Sequence, residues 1–136
     1  MDFYKIEDLE IGMSDYIQKT VTEADIVLFS GISGDFNPVH IDEEYAKKTI
    51  FKTRIAHGIL SAGFISAALS TKLPGPGCIY MAQSLKFKAP VRINDTVRTT
   101  VTITDVNIKR KIVKLETICS VGDTKVIIGE STMMMP

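Results

Sequence analysis

The sequence predicts an α+β fold in which an antiparallel sheet of about five strands wraps around one buried helix. Three observations lead there. Helical signals cluster in residues 1–75, residues 78–135 read as strands broken by turns, and an uncharged run from Gly58 to Thr71 is apolar or small nearly all round. A helix with no polar face has to be surrounded, and the strands that follow it supply the surface.

The elements follow in chain order. A first strand is expected around Asp15–Val21. Thr22 with Asp25 reads as a capping box, and Ile26, Val27 and Phe29 then fit a short helix ending near Gly31. Asp42 to Lys48 opens acidic and closes basic, as a helix dipole prefers, with Glu43/Lys47 and Glu44/Lys48 at supportive spacing. The Gly58–Thr71 helix stops at Leu73-Pro74-Gly75, and Ala62, Gly63, Ala67 and Ala68 are expected to let the sheet close around it. Strands are then predicted at Ile79–Val91, Thr96–Val106, Ile112–Val121 and Lys125–Met135, separated by turn signals such as Asn94-Asp95 and Gly122-Asp123. Alternation is clearest in Val97, Thr99, Val101 and Ile103, and in Val113, Leu115, Thr117 and Cys119. An open sheet leaves edges to be covered, so edge pairing into a homodimer is expected.

Composition bounds the rest. With 136 residues the chain is read as one domain, residues 1–136. Sixteen basic residues balance sixteen acidic ones, which removes any general attraction to nucleic acid. The Gly58–Thr71 run is shorter than the ~18–20 residues that cross a bilayer, and no secretory signal is visible, so no membrane partner is expected. Cys78 and Cys119 lie far apart and form no metal-ligand spacing; they read as buried thiols in a reducing, cytoplasmic setting.

The chemically informative stretch is Ser33-Gly34-Asp35-Phe36-Asn37-Pro38-Val39-His40. From spacing alone it reads first as a structural turn bearing a surface histidine, with Asn37 and Pro38 shaping the loop. Pro38 fixes a kink that can bring Asp35 toward His40, and a carboxylate beside an imidazole can exchange protons with a reacting group. The second of the two histidines, His57, precedes Gly58 at the start of the long helix. A helix start offers unpaired N–H groups, and glycine there lets a ligand oxygen approach.

Gly31 to His40, with Ala46 six residues on, resembles the hydratase signature of the MaoC-like (R)-specific enoyl-CoA hydratases. Arg54-Ile55-Ala56-His57-Gly58-Ile59-Leu60 and Gln83 to Val91 resemble two further shared blocks, so the likeness runs from about Tyr16 to the C-terminus. The resemblance implies a hot-dog fold that works as a dimer. It implies reversible addition of water to a trans-2-enoyl-CoA, giving an (R)-3-hydroxyacyl-CoA, with the CoA thioester as substrate and no cofactor or metal. Asp35 and His40 would be the catalytic pair, and the Gly58 N–H would steady the thioester oxygen.

Secondary assignments are less sharp. His57 is read either as a contact to the acyl carbonyl or as a helix-start histidine satisfied by backbone. Ser66 would hydrogen-bond near the site or back to its own helix. Gln83 is a candidate buried polar group near the site, Lys109-Arg110-Lys111 a hairpin tip or a CoA-phosphate contact, and Met133 to Met135 a core edge or an acyl lining. Two other readings stay open: a hot-dog acyl-CoA thioesterase, and a non-catalytic acyl-CoA-binding module.

Overall fold

The alternation of Val97, Thr99, Val101 and Ile103 is realised as strand β4 (Thr96–Asn107), which buries all four on one face. In the computed structural model, which describes residues 4–136, β4 belongs to a six-stranded antiparallel sheet. The main order is β1 (Ser14–Thr20), β4, β5 (Ile112–Val121), β6 (Thr124–Met134) and β2 (Ile79–Gln83), with the short β3 (Lys86–Phe87) also on β6. Register places Thr99 against Cys119 and Leu115 against Ser131, so the period-2 pattern of each strand turns the same set inward.

The predicted stretch Ile79–Val91 is two strands rather than one. The chain bends at Ser84, whose hydroxyl accepts the Glu130 N–H at 3.0 Å while its own N–H reaches the Glu130 carbonyl at 2.9 Å. The Ser84 carbonyl sits directly over Gly129, where a Cβ would lie 1.9 Å away. No side chain fits there, which makes Gly129 part of the bend.

Helix α1 (Glu23–Ser33) starts with the expected capping box: the Asp25 N–H donates to Thr22 Oγ1 at 3.1 Å, and the Thr22 N–H to Asp25 Oδ2 at 2.9 Å. It runs past Gly31 and ends at Gly34, whose φ of 77° suits glycine. Two single-turn helices follow, α2 (Pro38–Ile41) and α3 (Glu43–Ala46). The anticipated Glu43–Lys47 pair does not form, because Glu43 is engaged by Thr53 and Arg54, and Lys47 instead reaches Glu44 at 3.0 Å.

The long helix α4 (Gly58–Thr71) lies on the inner face of the sheet. Ile65, Ala68 and Leu69 are fully buried against Val97, Val101, Val113, Leu115, Ile127 and Met133 in one core. This is the hot-dog arrangement the resemblance implies. Burial is not complete, however. Ile59, Gly63, Ser66 and Ser70 form an exposed stripe, and a Cβ on Gly63 would meet nothing within 4 Å, so this glycine does not seat the sheet. The uniform apolarity of α4 therefore reflects one face on the sheet and another face left open within the single chain.

Candidate active site

The loop after α1 is built by short-range polar bonds. Ser33 Oγ donates to the Phe29 carbonyl at 2.7 Å and accepts the Asp35 N–H at 3.1 Å. Asp35 Oδ1 accepts the Asn37 N–H at 3.1 Å, and Asn37 Oδ1 caps α2 by accepting the Val39 N–H at 3.2 Å. Pro38 occupies the first helical position, where its missing N–H costs nothing. Asn37 and Pro38 thus shape the loop, as the sequence suggested, and the segment is a helical turn rather than an irregular one. The turn carries His40 inward to 8% exposure while Asp35 stays exposed.

His40 Nδ1 lies 2.8 Å from the Ile55 carbonyl. A carbonyl only accepts, so Nδ1 carries a proton, and in the neutral ring the lone pair then lies on Nε2. His57 adopts the opposite tautomer. Its Nε2 is 3.0 Å from the Asp35 backbone carbonyl and 3.1 Å from Ser30 Oγ, which places the proton on Nε2. The two rings stack with centroids 3.8 Å apart, and the Phe29 ring lies tilted beside His57 with centroids 4.8 Å apart. Burial pushes the His57 pKa below the usual imidazole value, the Asp35 carbonyl opposes the shift, and His40 adds to it. His57 is thus a neutral clasp that ties the Asp35 backbone to the start of α4. Its Nδ1 is buried without a partner among the described residues.

Gly58 is the first residue of α4, so its N–H points out of the helix end. The Phe87 ring covers its Cα closely: a Cβ there would lie 2.6 Å from the ring edge. Beside this helix end opens a cleft of about 470 Å³, lined by Phe51, Ile55, Phe87, Ala89 and Pro90 together with His57, Gly58 and Ser61. Asp35 and His40 do not line the cleft; it meets their cluster through His57 and Gly58.

One ligand atom each from Asp35, His40 and His57 falls within 4.8 Å of the others. Such a set resembles a metal site by composition, but the ring planes differ by only 29°. A tetrahedral site takes its donors from separate corners, and two stacked, near-parallel rings do not present that spread. The arrangement suits proton transfer better than metal ligation.

The remaining sequence candidates sit elsewhere. Ser66 lies on the exposed stripe of α4, two turns from Gly58, so it does not join the Asp35/His40 cluster within the chain. Gln83 is partly buried but bonds Thr117 Oγ1 at 2.9 Å, the Ser84 carbonyl and the Tyr80 hydroxyl. Lys109 to Lys111 form the β4–β5 tip next to the C-terminus, where the Met135 N–H donates to the Lys111 carbonyl at 2.8 Å. Met133 and Met135 are core residues at 1% and 2% exposure. Cys119 is buried, whereas Cys78 is only partly so. Sequence reasoning missed Ser30, the Ile55 carbonyl and Phe87. The first two act through a hydroxyl at helical spacing and a main-chain atom, which leave no signature in residue type.

Comparison with known proteins agrees with the geometry. The chain is 58% identical over 130 residues to an (R)-specific enoyl-CoA hydratase of Rhodospirillum rubrum, covering 96% of this chain and 90% of that one. It is 46% identical over 130 residues to a 3-hydroxybutyryl-CoA dehydratase of Methylorubrum extorquens, covering 96% and 83%. Among solved structures it superposes on the (R)-hydratase of Aeromonas caviae involved in PHA biosynthesis with a TM-score of 0.92 at 36% identity, covering 96% and 99%. An R-hydratase of Pseudomonas aeruginosa gives a TM-score of 0.91 at 39% identity, covering 96% and 84%. The MaoC like domain matches residues 11–123, a span that holds the Asp35/His40 loop, the His57-Gly58 helix start and most of the sheet, and the chain belongs to that family.

Proposed function

We propose that this protein is an (R)-specific enoyl-CoA hydratase, adding water reversibly to a trans-2-enoyl-CoA. The observation that carries the reading is the Asp35 carboxylate beside a His40 whose Nδ1 is engaged by the Ile55 carbonyl, leaving Nε2 for the reaction, at the N-terminal end of α4. In this reading Asp35 and His40 hold one water between them. As the water oxygen attacks C3, one of its protons passes to the pair, and a proton returns from the pair to C2. Charge developing on the thioester oxygen meets the Gly58 N–H and the positive end of α4. Hydration is redox-neutral, with the π pair of the double bond taking up the proton at C2, so acid–base groups suffice and we assign no cofactor. The apolar cleft beside Gly58 takes the chain flanking the thioester.

The protein is further proposed to work as a homodimer in the cytoplasm. Among the described residues strand β2 ends the sheet, paired with β6 on one side only, and Ile79 is 53% and Met81 50% exposed, an apolar edge strand of the kind a second copy covers. Both cysteines are free, which fits a reducing compartment. Among the described residues no helix is long and apolar enough to cross a membrane.

Incubation with crotonyl-CoA tests the activity. Loss of the conjugated enoyl absorbance without release of free thiol is expected. Thiol release at a matching rate identifies a thioesterase instead, and tight binding of the ester without turnover identifies a binding module.

A further inference from the structure

Arg54 is the most heavily bonded side-chain cation among the described residues. Its guanidinium forks onto Glu23 with Nη1 and Nη2 each 2.8 Å from a carboxylate oxygen, and its Nε reaches Glu43 Oε2 at 3.3 Å. The Arg54 main-chain N–H donates to the same Glu43 oxygen at 3.1 Å, and the Thr53 hydroxyl takes the other. The side chain is only 19% exposed, and its charge is matched by two carboxylates held below their usual range by these bonds.

The placement of the two acids gives this brace a purpose. Glu23 opens α1 and Glu43 opens α3, so the segment between them contains Asp35, Asn37 and His40. Arg54 therefore grips both ends of the segment that bears the proposed catalytic pair. The next residue along is Ile55, whose N–H donates to the Val39 carbonyl at 3.2 Å and whose carbonyl fixes His40 Nδ1 at 2.8 Å. One short stretch thus clamps the segment by its ends and sets the tautomer of the histidine inside it. We propose that Arg54 is a positioning residue: braced by Glu23 and Glu43, it holds the Ile55 carbonyl where it keeps His40 protonated on Nδ1, with Nε2 free for the reaction. This rests on the assignment of His40 above.

A role in stability alone would lower Tm and leave the imidazole untouched, so the test reads the ring directly. The chain has two histidines, and they hold opposite tautomers, so protein labelled with ¹⁵N-histidine gives two distinguishable imidazole patterns. In the wild-type protein His40 is expected with its proton on Nδ1. In Arg54→Ala that preference is lost, kcat falls about 10–100-fold and KM for crotonyl-CoA stays within about twofold. Arg54→Lys, which keeps charge but not the fork, falls between the two. Should Arg54→Ala fail to fold, Glu23→Gln breaks only the α1 half of the brace and is expected to lower kcat about 3–10-fold with the same direction of tautomer change. Unchanged kcat and an unchanged His40 pattern in these variants overturn the proposal, whatever Tm does. A wild-type protein inert toward enoyl-CoA, whose His40 tautomer still shifts in Arg54→Ala, sinks the activity while sustaining the brace.

Discussion

Gly58→Ala separates what the helix end contributes to chemistry from what it contributes to folding. The new Cβ would lie 2.6 and 2.7 Å from two carbons of the Phe87 ring, about 1 Å inside normal carbon–carbon contact. The ring is 52% exposed on the two-residue strand β3 and can swing outward at little cost. Alanine also gains up to ~1 kcal/mol of helix preference over glycine, so Tm is expected to stay within about 3 °C of wild type. Activity fares differently. The methyl group and the displaced ring crowd the space through which an oxygen must reach the Gly58 N–H, and loss of one such donor costs about 10²–10³ in kcat. Differential scanning calorimetry and steady-state hydration of crotonyl-CoA on the same preparation check both halves. Full turnover with an unchanged melt would refute the assignment of the Gly58 N–H to the thioester oxygen; a collapse of the fold would refute the claim that Phe87 yields.

Gly129→Ala should behave in the opposite way: its Cβ meets the Ser84 carbonyl at 1.9 Å, backbone atoms cannot swing aside, and a loss of about 2–3 kcal/mol is expected by denaturant titration. Thr22→Ala removes the α1 cap and should cost about 1 kcal/mol without altering KM. The lowered His57 pKa sets a sign: the unfolded chain takes up a proton that the folded one refuses, so stability is complete above the ordinary imidazole value of 6.5 and declines as pH falls below it. His57→Asn should abolish that part of the decline in a pH series of melts; an unaltered slope contradicts it. Light scattering at micromolar concentration should give twice the 15.0 kDa chain mass, and Met81→Asp on the exposed edge of β2 should reduce it to one.

Much of this molecule is legible in its sequence because local chemistry and tertiary demand agree. The Thr22/Asp25 box, the stop at Leu73-Pro74 and the alternation through β4 and β5 each state a rule that the fold then obeys. The Asp35-Phe36-Asn37-Pro38 turn also announces itself, since its Asx bonds are made within four residues. What was not legible depends on contacts distant in sequence. The break between β2 and β3 arises because Ser84 bonds across to Glu130, and no pattern within Ile79–Val91 records that. The exposed stripe of α4 leaves no mark in the pattern because Ile59, Gly63 and Ser66 are as small or apolar as the residues that face the sheet. Ser66 shares that stripe, and the serine bordering the cleft is Ser61. Likewise Glu43 carries the spacing of a surface helix pair, and only the return of the chain at Thr53-Arg54 gives it another partner.

The central claim is that Asp35 and His40 together add water to an enoyl thioester on one face. Chiral analysis of the product formed from crotonyl-CoA, run in parallel on wild type and Asp35→Asn, tests it most directly. The account predicts (R)-3-hydroxybutyryl-CoA from the wild-type protein and a rate lower by about 10²–10⁴ in a variant that melts normally. A racemic or (S) product, or an Asp35→Asn variant that turns over like wild type, would contradict it.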